Sequence, residues 1–224
     1  MDALDPAVDG LPAEFPIFPL SGALLLPGAK LPLNIFEPRY LAMTEDALAS
    51  GRMIAMIQPD LESPPGPNGP KLFRVGCLGR LSSFSESEDG QRYLITLHGV
   101  ARFTVVEELA AKRGYRSVRG DFSEFSADLA PSTPPLHFDR GTLLNALRAY
   151  FQQHGFDANW DAIGEIDDAS LVTTLSMVCP FDAMEKQALL EAETPVLRAA
   201  TLLALLRIET HAARGATSGR PLAS

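Results

Sequence analysis

The residues with the clearest chemical potential are Glu37 and Arg39, a charged couple beside Tyr40. Such a couple could hold the carboxylate of a substrate. The same residues also fit the start of a helix. Pro38 suits the first helical position because its missing N–H would have no partner there, and a carboxylate at Glu37 can meet free backbone N–H groups. We therefore predict that Glu37 serves the helix start, while Arg39 and Tyr40 anchor the helix to the neighbouring strands.

The remaining reactive residue types form no recognisable active site. A phosphate-binding loop, G-x-x-x-x-G-K-[ST], requires a lysine directly after glycine. None of the four lysines has that context; they are Lys30, Lys71, Lys112 and Lys186. A G-x-S-x-G nucleophile elbow is also missing, and the histidines lack metal-ligand spacing. We predict no catalytic residue, no metal site and no cofactor.

The elements that would position Glu37 and Arg39 are mostly strands. Apolar alternation and turn residues predict strands between residues 15 and 122, including a short buried one at Met53–Ile57. The pair Asp89-Gly90 is a strong hairpin turn signal. A single helix interrupts the strands and ends near Gly51, which suits a left-handed cap. Several short strands with one helix predict a closed or partly closed barrel.

Proline-rich segments divide the chain. Residues 62–70 contain too much proline and glycine for a helix or a strand ladder, and they predict a projecting loop. A second such segment, 130–136, separates the strands from a helical part. There Asp182 and Glu185 form a capping-box pattern, and Thr194-Pro195 opens a final long helix. The sequence therefore predicts an α+β protein with a helical carboxyl-terminal part.

The predicted domain organisation follows from these breaks. Small and polar residues at both ends predict flexible tails. In order, the segments are a tail over 1–12, the barrel over 13–129, the linker over 130–136, the helical domain over 137–212 and a tail over 213–224.

The charge of the chain argues against nucleic-acid and membrane partners. The formal net charge is −9, so the chain lacks the basic excess that phosphate neutralisation requires. The main basic cluster would be divided between the two faces of a strand; it comprises Lys112, Arg113, Arg116 and Arg119, with Tyr115. We therefore expect neither nucleic acid nor a membrane as partner.

The cysteines and the first residues bear on location. Cys77 and Cys179 lie far apart in sequence, and we predict two buried thiols in a reducing compartment. The acidic start, MDALDPAVDG, lacks the basic and then apolar order of a signal peptide. No apolar run is long enough to span a bilayer. We expect a cytoplasmic protein.

Four segments carry a family resemblance. They are Phe15–Leu20 (FPIFPL), Leu31–Tyr40 (LPLNIFEPRY), Tyr93–Val105 with its GV-x-RF pattern, and Met184–Glu191 (MEKQALLE). Their order and spacing resemble the amino-terminal, substrate-binding domain of the Lon proteases. The resemblance implies that the signature residues hold the fold and are not an active site; they are Ile35, Phe36, Glu37, Pro38, Arg39, Tyr40, Gly99, Val100, Arg102 and Phe103.

The resemblance also implies a fold and a function. The fold is a β-barrel similar to the PUA domain, followed by a small helical bundle. The function is that of a non-catalytic protein- or peptide-binding module, here without the ATPase and Ser-Lys protease domains, that captures unfolded polypeptides or acts as an adaptor. The implied partners are unfolded or specific protein clients, with a homodimer left open. A small-molecule-sensing or regulatory PUA-like domain is the main alternative, ahead of RNA binding.

Overall fold

The computed structural model describes residues 10–130 and 136–218, with side chains described as far as residue 210. Parts of the predicted tails and of the predicted linker therefore lie outside the described residues; they are 1–9, 131–135 and 219–224.

Strands dominate the first half of the described chain and helices the second. The strands are β1 (Glu14–Pro19), β2 (Lys30–Ile35), β3 (Met53–Ile57), β4 (Pro59–Asp60), β5 (Lys71–Leu72), β6 (Val75–Glu86), β7 (Tyr93–Glu108) and β8 (Arg116–Asp121). The helices are α1 (Pro38–Ala49), α2 (Arg140–His154), α3 (Trp160–Glu165), α4 (Asp168–Val178), α5 (Ala183–Glu191) and α6 (Pro195–Ser218), with a 3-10 helix over Ser123–Leu129. This is the α+β order that the sequence predicts.

Six of the strands form one mixed sheet in the order β2-β7-β6-β3-β1-β8. Only β1 and β3 run parallel among the paired strands of that sheet; the other pairs are antiparallel. The long strand β7 pairs with β2 through its first half and with β8 through its second half. Strand β8 therefore meets both β1 and β7. As a result, β2, β7 and β6 extend as a three-stranded sheet that carries the candidate site.

An apolar cluster packs between the strands. The rings of Phe15 and Phe103 meet edge to face at 4.8 Å, and Phe122 lies 5.8 Å from Phe15. Edge-to-face aromatic pairs add stability beyond the area that they bury. The buried members of the cluster are Phe15, Ile17, Met53, Ala55, Ile57, Leu78, Ala101, Phe103, Val118 and Phe122.

Local sequence signals place α1 as expected. Pro38 occupies the first turn, and Gly51 follows the helix with a φ of 77°. That φ lies in the left-handed region, which glycine adopts without steric cost. On the inner side of α1 the Tyr40 ring lies 4.2 Å from the ring of Phe18. The buried Tyr40 therefore anchors the helix to β1, as predicted.

The chain divides into two compact units, and α5 belongs to the first. Among the described residues, that unit contains 10–130 and Cys179–Glu191, whereas the second contains 136–178 and 192–218. The assignment of α5 differs from our predicted helical domain, 137–212. The reason is a set of contacts with the strands, which include a 2.7 Å hydrogen bond from Gln58 Nε2 to the Ala183 carbonyl.

A second contact and a cap fix α5 in this place. Gln187 Nε2 donates to the carbonyl of Val75 on β6 at 3.1 Å. The backbone N–H of Asp182 donates to Glu185 Oε2, and the N–H of Glu185 donates to Asp182 Oδ1. This reciprocal pair is the capping box that the sequence predicts.

The second unit consists of helices. Helix α6 contacts α2 and α4, and Arg140 on α2 pairs with Asp168 on α4. Thr194 Oγ1 accepts the N–H of Leu197, so α6 starts where the sequence predicts. It continues to Ser218, however, so the predicted tail from residue 213 is helical in its first part. None of the helices in the described ranges is long and apolar enough to cross a membrane.

Candidate functional site

The first half of the predicted signature joins β2 to α1. Ile35 ends β2 and is buried, with 1% of its surface exposed. Phe36, the next residue, is 61% exposed. Only one of these two adjacent apolar residues is therefore used by the core.

Glu37 and Arg39 pair with each other at the surface. Arg39 donates from Nε and Nη2 to Glu37 Oε2 at 3.0 and 2.8 Å, and both side chains are about half exposed. The Glu37 side chain makes no capping hydrogen bond, although its backbone carbonyl accepts the N–H groups of Tyr40 and Leu41. Glu37 therefore occupies the N-cap position at the predicted helix start, but the prediction that its carboxylate meets the free N–H groups is wrong, because that carboxylate pairs with Arg39. Arg39 lies over the ring of Tyr40, at 4.5 Å, but Tyr40 belongs to the same helix, so anchoring of the helix to the strands by Arg39 stays a prediction.

Arg102, in the second half of the signature, is a buried connector. Its Nε and Nη2 donate to the two carboxylate oxygens of Asp128, each at 2.8 Å. Its Nη1 donates to the Leu190 carbonyl on α5 at 3.1 Å, and its guanidinium lies 4.4 Å from the Phe125 ring centre. Arg102 is only 3% exposed and cannot meet a ligand from solvent.

The neighbouring signature residues pack against the backbone and the core. A Cβ added at Gly99 would lie 2.0 Å from the carbonyl oxygen of Leu26, so only glycine fits. Its N–H donates to the Ala29 carbonyl at 2.8 Å, which holds the 26–29 segment against β7. Phe103 is fully buried, and Val100 packs partly buried beside the same core. These contacts are those of residues that hold the fold.

The predicted basic cluster is neutralised by carboxylates of the same chain. Each of its four basic residues has an ion-pair partner, and Arg116 is also mostly buried. The pairs are Lys112 with Asp46, Arg113 with Glu45 and Asp46, Arg116 with Glu108, and Arg119 with Glu14 and Glu107. The cluster therefore carries little free positive charge.

The buried groups offer no metal or redox site in the part of the chain that the structure describes. No three His, Cys, Asp or Glu residues are grouped there so as to hold a metal ion. Cys77 and Cys179 are free, buried thiols, as predicted. Burial raises the pKa of Cys179 to about 11, which leaves it a poor nucleophile.

A groove that the sequence analysis did not identify lies on the outer face of β2, β7 and β6. It has a volume of about 380 Å³, and its lining residues are Pro32, Leu33, Asn34, Ser83, Ser85, Leu94, Ile95 and Thr96. Leu94 lies opposite Asn34 on one side and opposite Ser85 on the other, and it is half exposed. Small neighbours therefore leave an apolar side chain open to solvent. The signal in the sequence was the alternation along β7, which puts Leu94 on the face away from Ile95.

The free edge beside this groove is poorly suited to adding a strand. Among the described strands, β2 is the terminal strand of the sheet and pairs only with β7. Pro32 lies in its middle and has no N–H to offer, and Lys30 begins it. Proline and lysine on an edge strand both discourage pairing with another chain. A polypeptide would therefore meet the face of this sheet more readily than its edge.

Comparison with known proteins agrees with this architecture. Residues 14–207 match the family model described as the ATP-dependent protease La (LON) substrate-binding domain. "Lon protease 2" of Myxococcus xanthus is 27% identical over 116 residues, which are 52% of this chain and 14% of that protein. "Lon protease" of Anaeromyxobacter dehalogenans is 27% identical over 99 residues, 44% of this chain and 12% of that protein. The chain thus spans only a small part of these relatives.

Two solved structures share the fold. One is a Lon N-terminal domain protein from Xanthomonas campestris, with a TM-score of 0.59 and 24% identity; the match covers 85% of this chain and 97% of that one. The other is the N-terminal domain of the Mycobacterium avium complex Lon protease, with a TM-score of 0.54 and 14% identity. It covers 88% of this chain and 98% of that one.

Proposed function

This chain belongs to the Lon substrate-binding domain family, and on that premise we propose that it captures unfolded polypeptide segments in the groove on the outer face of β2, β7 and β6. Family membership makes it a non-catalytic substrate-recognition module. Capture of unfolded clients and an adaptor role towards a separate protease are our extension of that module. The observation that carries the extension is the half-exposed Leu94 that lines an open groove.

The shape and chemistry of the groove suit an extended polypeptide. Its walls combine apolar carbon from Leu94 and Pro32 with hydroxyl and amide groups from Ser83, Thr96 and Asn34. Such a surface can bury an apolar side chain while its polar groups bond the backbone of the bound segment. Because Pro32 makes the edge of β2 a poor site for adding a strand, the polypeptide is expected to bind on the face of the sheet. We also propose that β8, which meets β1 and β7, completes a PUA-like barrel that holds this face in place.

Small-molecule sensing is the weaker proposal for the same groove. Ligand pockets are usually enclosed and lined by aromatic side chains. No aromatic residue lines this groove, and its volume lies near the lower limit for such sites. RNA binding is weaker again because the predicted basic cluster is neutralised by Glu45, Asp46 and Glu108, among others. The two buried free thiols support the cytoplasmic location that we propose.

The test is fluorescence anisotropy of a labelled, permanently unfolded polypeptide titrated with the protein, with its folded counterpart as control. We expect saturable binding to the unfolded form alone. Leu94→Ser should weaken it about tenfold, because burying a leucine contributes roughly 1.5–3 kcal/mol. Val106→Ser is the matched control, since Val106 is 60% exposed on the same strand and does not line the groove. If the Leu94→Ser and Val106→Ser variants bound the unfolded polypeptide equally well, the groove would be rejected as the binding site. If the wild-type protein, shown to be folded, did not bind the unfolded polypeptide, capture itself would be rejected.

A further inference from the structure

Three basic side chains form a row across the sheet at one end of the groove. Lys30 on β2 pairs with His98 on β7, and His98 pairs with Arg80 on β6. Residues directly opposite in an antiparallel pair project to the same face, with Cβ atoms about 4.5–5.5 Å apart. Leu94 and His98 share the outer face of β7 because side chains alternate along a strand. The row Lys30–His98–Arg80, here called the basic row, therefore belongs to the groove face.

The basic row has no carboxylate partner in the described residues. None of its three members takes part in an ion pair there, in contrast to the arginines of β8 and of the preceding turn. Lys30 and Arg80 therefore place two positive charges on either side of His98 without a carboxylate partner. An anion placed between them would be attracted by both.

Arg80 gives a second, independent indication. Its Nε is buried and has no hydrogen-bond partner within the described part of the chain. A buried donor without a partner costs free energy, and a charged donor costs more than a neutral one. On the side opposite His98, Arg80 pairs with Met53 of the apolar core, so its position on β6 lies between that core and the groove face. A guanidinium offers a carboxylate donors in a fork suited to it.

We propose that the groove and the basic row together bind an extended polypeptide segment that carries acidic side chains. The inference rests on the proposed function, since it names the class of polypeptide that this groove selects. Leu94 receives an apolar side chain, and the basic row receives a carboxylate. Side-chain carboxylates fit because unfolded polypeptides carry them without any added group.

The positions of Leu94 and His98 on β7 set the spacing between the apolar and the acidic residue of the bound segment. Leu94 and His98 are four residues apart on one strand, which corresponds to about 13 Å. An extended segment lying along β7 would therefore place an acidic residue four positions from its apolar residue.

The overall charge makes the inference easy to distinguish from general electrostatic attraction. A net charge of −9 would on average repel an acidic peptide. Screening limits that repulsion to about 10 Å at 0.1 M salt. A preference for acidic peptides must therefore come from a local basic site, and the described chain offers the basic row beside the groove.

The experiment compares labelled, disordered peptides of equal length and equal apolar content. They carry acidic, neutral or basic residues four positions from a central leucine. We expect the acidic peptide to bind at least tenfold more tightly than the basic one, with the difference shrinking as salt rises. Lys30→Gln and Arg80→Gln should each reduce the ratio between the affinities for the acidic and the basic peptide, and Arg80→Lys should restore part of that ratio.

Controls separate this inference from the proposed function. Lys71→Gln removes an exposed lysine on β5, in the separate two-stranded sheet, and should leave the preference unchanged. Each variant is first checked for an unaltered unfolding midpoint. Failure of all three peptides to bind would reject the proposed function; equal binding of all three would reject only the acidic preference. A uridine oligonucleotide that displaces the acidic peptide and binds more tightly would assign the basic row to RNA and overturn the inference.

Discussion

Asp128 receives three hydrogen bonds from Arg102, from the backbone N–H and from the side-chain Nε and Nη2, at 2.8–3.0 Å. The pair joins β7 to the 3-10 helix, and the remaining guanidinium nitrogen Nη1 reaches α5 through Leu190. A residue that the sequence marks only as part of a family signature thus ties three elements of the first unit together.

Removing either member of this pair should strongly destabilise the protein. Arg102 is 3% exposed and Asp128 is 11% exposed at the side chain, so each variant leaves a buried charge without its partner. We expect Asp128→Ala to lower the free energy of unfolding by roughly 3–5 kcal/mol. Urea unfolding measures it, with the exposed Glu88→Ala as control. A loss below about 1 kcal/mol for Asp128→Ala would contradict the buried connection.

Gly99→Ala should be poorly tolerated. The new Cβ would lie 2.0 Å from the oxygen and 2.7 Å from the carbon of the Leu26 carbonyl, and backbone atoms cannot turn aside as a side chain can. Overpacking of this kind costs about 1–3 kcal/mol or more. Gly164→Ala is the matched control, because nothing lies within 4 Å of its added Cβ and alanine favours a helix. Thermal unfolding of both variants should give shifts of opposite sign.

The two halves of the Glu37–Tyr40 segment should respond differently to mutation. Tyr40→Ala removes a buried ring packed on Phe18 and should cost roughly 3–5 kcal/mol. Glu37→Gln breaks only an exposed pair with Arg39 and should change stability by less than about 1 kcal/mol. Chemical unfolding tests both. If Glu37→Gln left stability intact but abolished peptide binding, the segment would be a binding site and not only a fold signature.

Asp46 should contribute a pH-dependent part of the stability. Its hydrogen bond from Tyr115, followed by those from Lys112 and Arg113, lowers its pKa to about 2. In the unfolded chain the pKa of Asp is about 3.9, so the folded state holds the proton less tightly. The contribution is therefore complete above about pH 4 and is lost as the pH falls towards about 2.

The measurement compares unfolding midpoints at about pH 5 and about pH 2.5. Asp46→Asn should have a lower unfolding midpoint than wild type at the higher pH. Its midpoint should also fall less than that of wild type when the pH is lowered. Tyr115→Phe should give an intermediate result, because it removes the largest of the three effects on the Asp46 pKa. If the unfolding midpoints of wild type and Asp46→Asn fell equally between the two pH values, this carboxylate would be excluded as the source of the pH-dependent stability.

The two thiols should be inert in the folded protein. Both are buried, and burial raises the pKa of Cys179 to about 11, so hardly any thiolate is present near neutral pH. An aromatic disulfide reagent at about pH 8 should react at full rate only after denaturant is added. Rapid reaction of one thiol in the native protein would show that its segment opens locally.

Local chemistry explains which predictions from the sequence were confirmed. Pro38, Gly51 and the Asp182–Glu185 box act within a few residues of themselves, so their sequence context is nearly their whole environment. Local sequence did not predict the partner of the Glu37 carboxylate. Its carboxylate had two local partners within reach, the free N–H groups and Arg39, and position in the sequence could not rank them.

The sequence by itself determined the strand and helix order, the caps, the buried thiols and the family signature, because these depend on residue type and short spacing. Only the tertiary structure decided that α5 returns to the strands, that Arg102 meets Asp128, and that Lys30 and Arg80 lie on either side of His98. These relationships depend on register between strands that are distant in sequence. A shift of one residue in that register would move a side chain to the opposite face, and nothing local to the chain records which register is adopted.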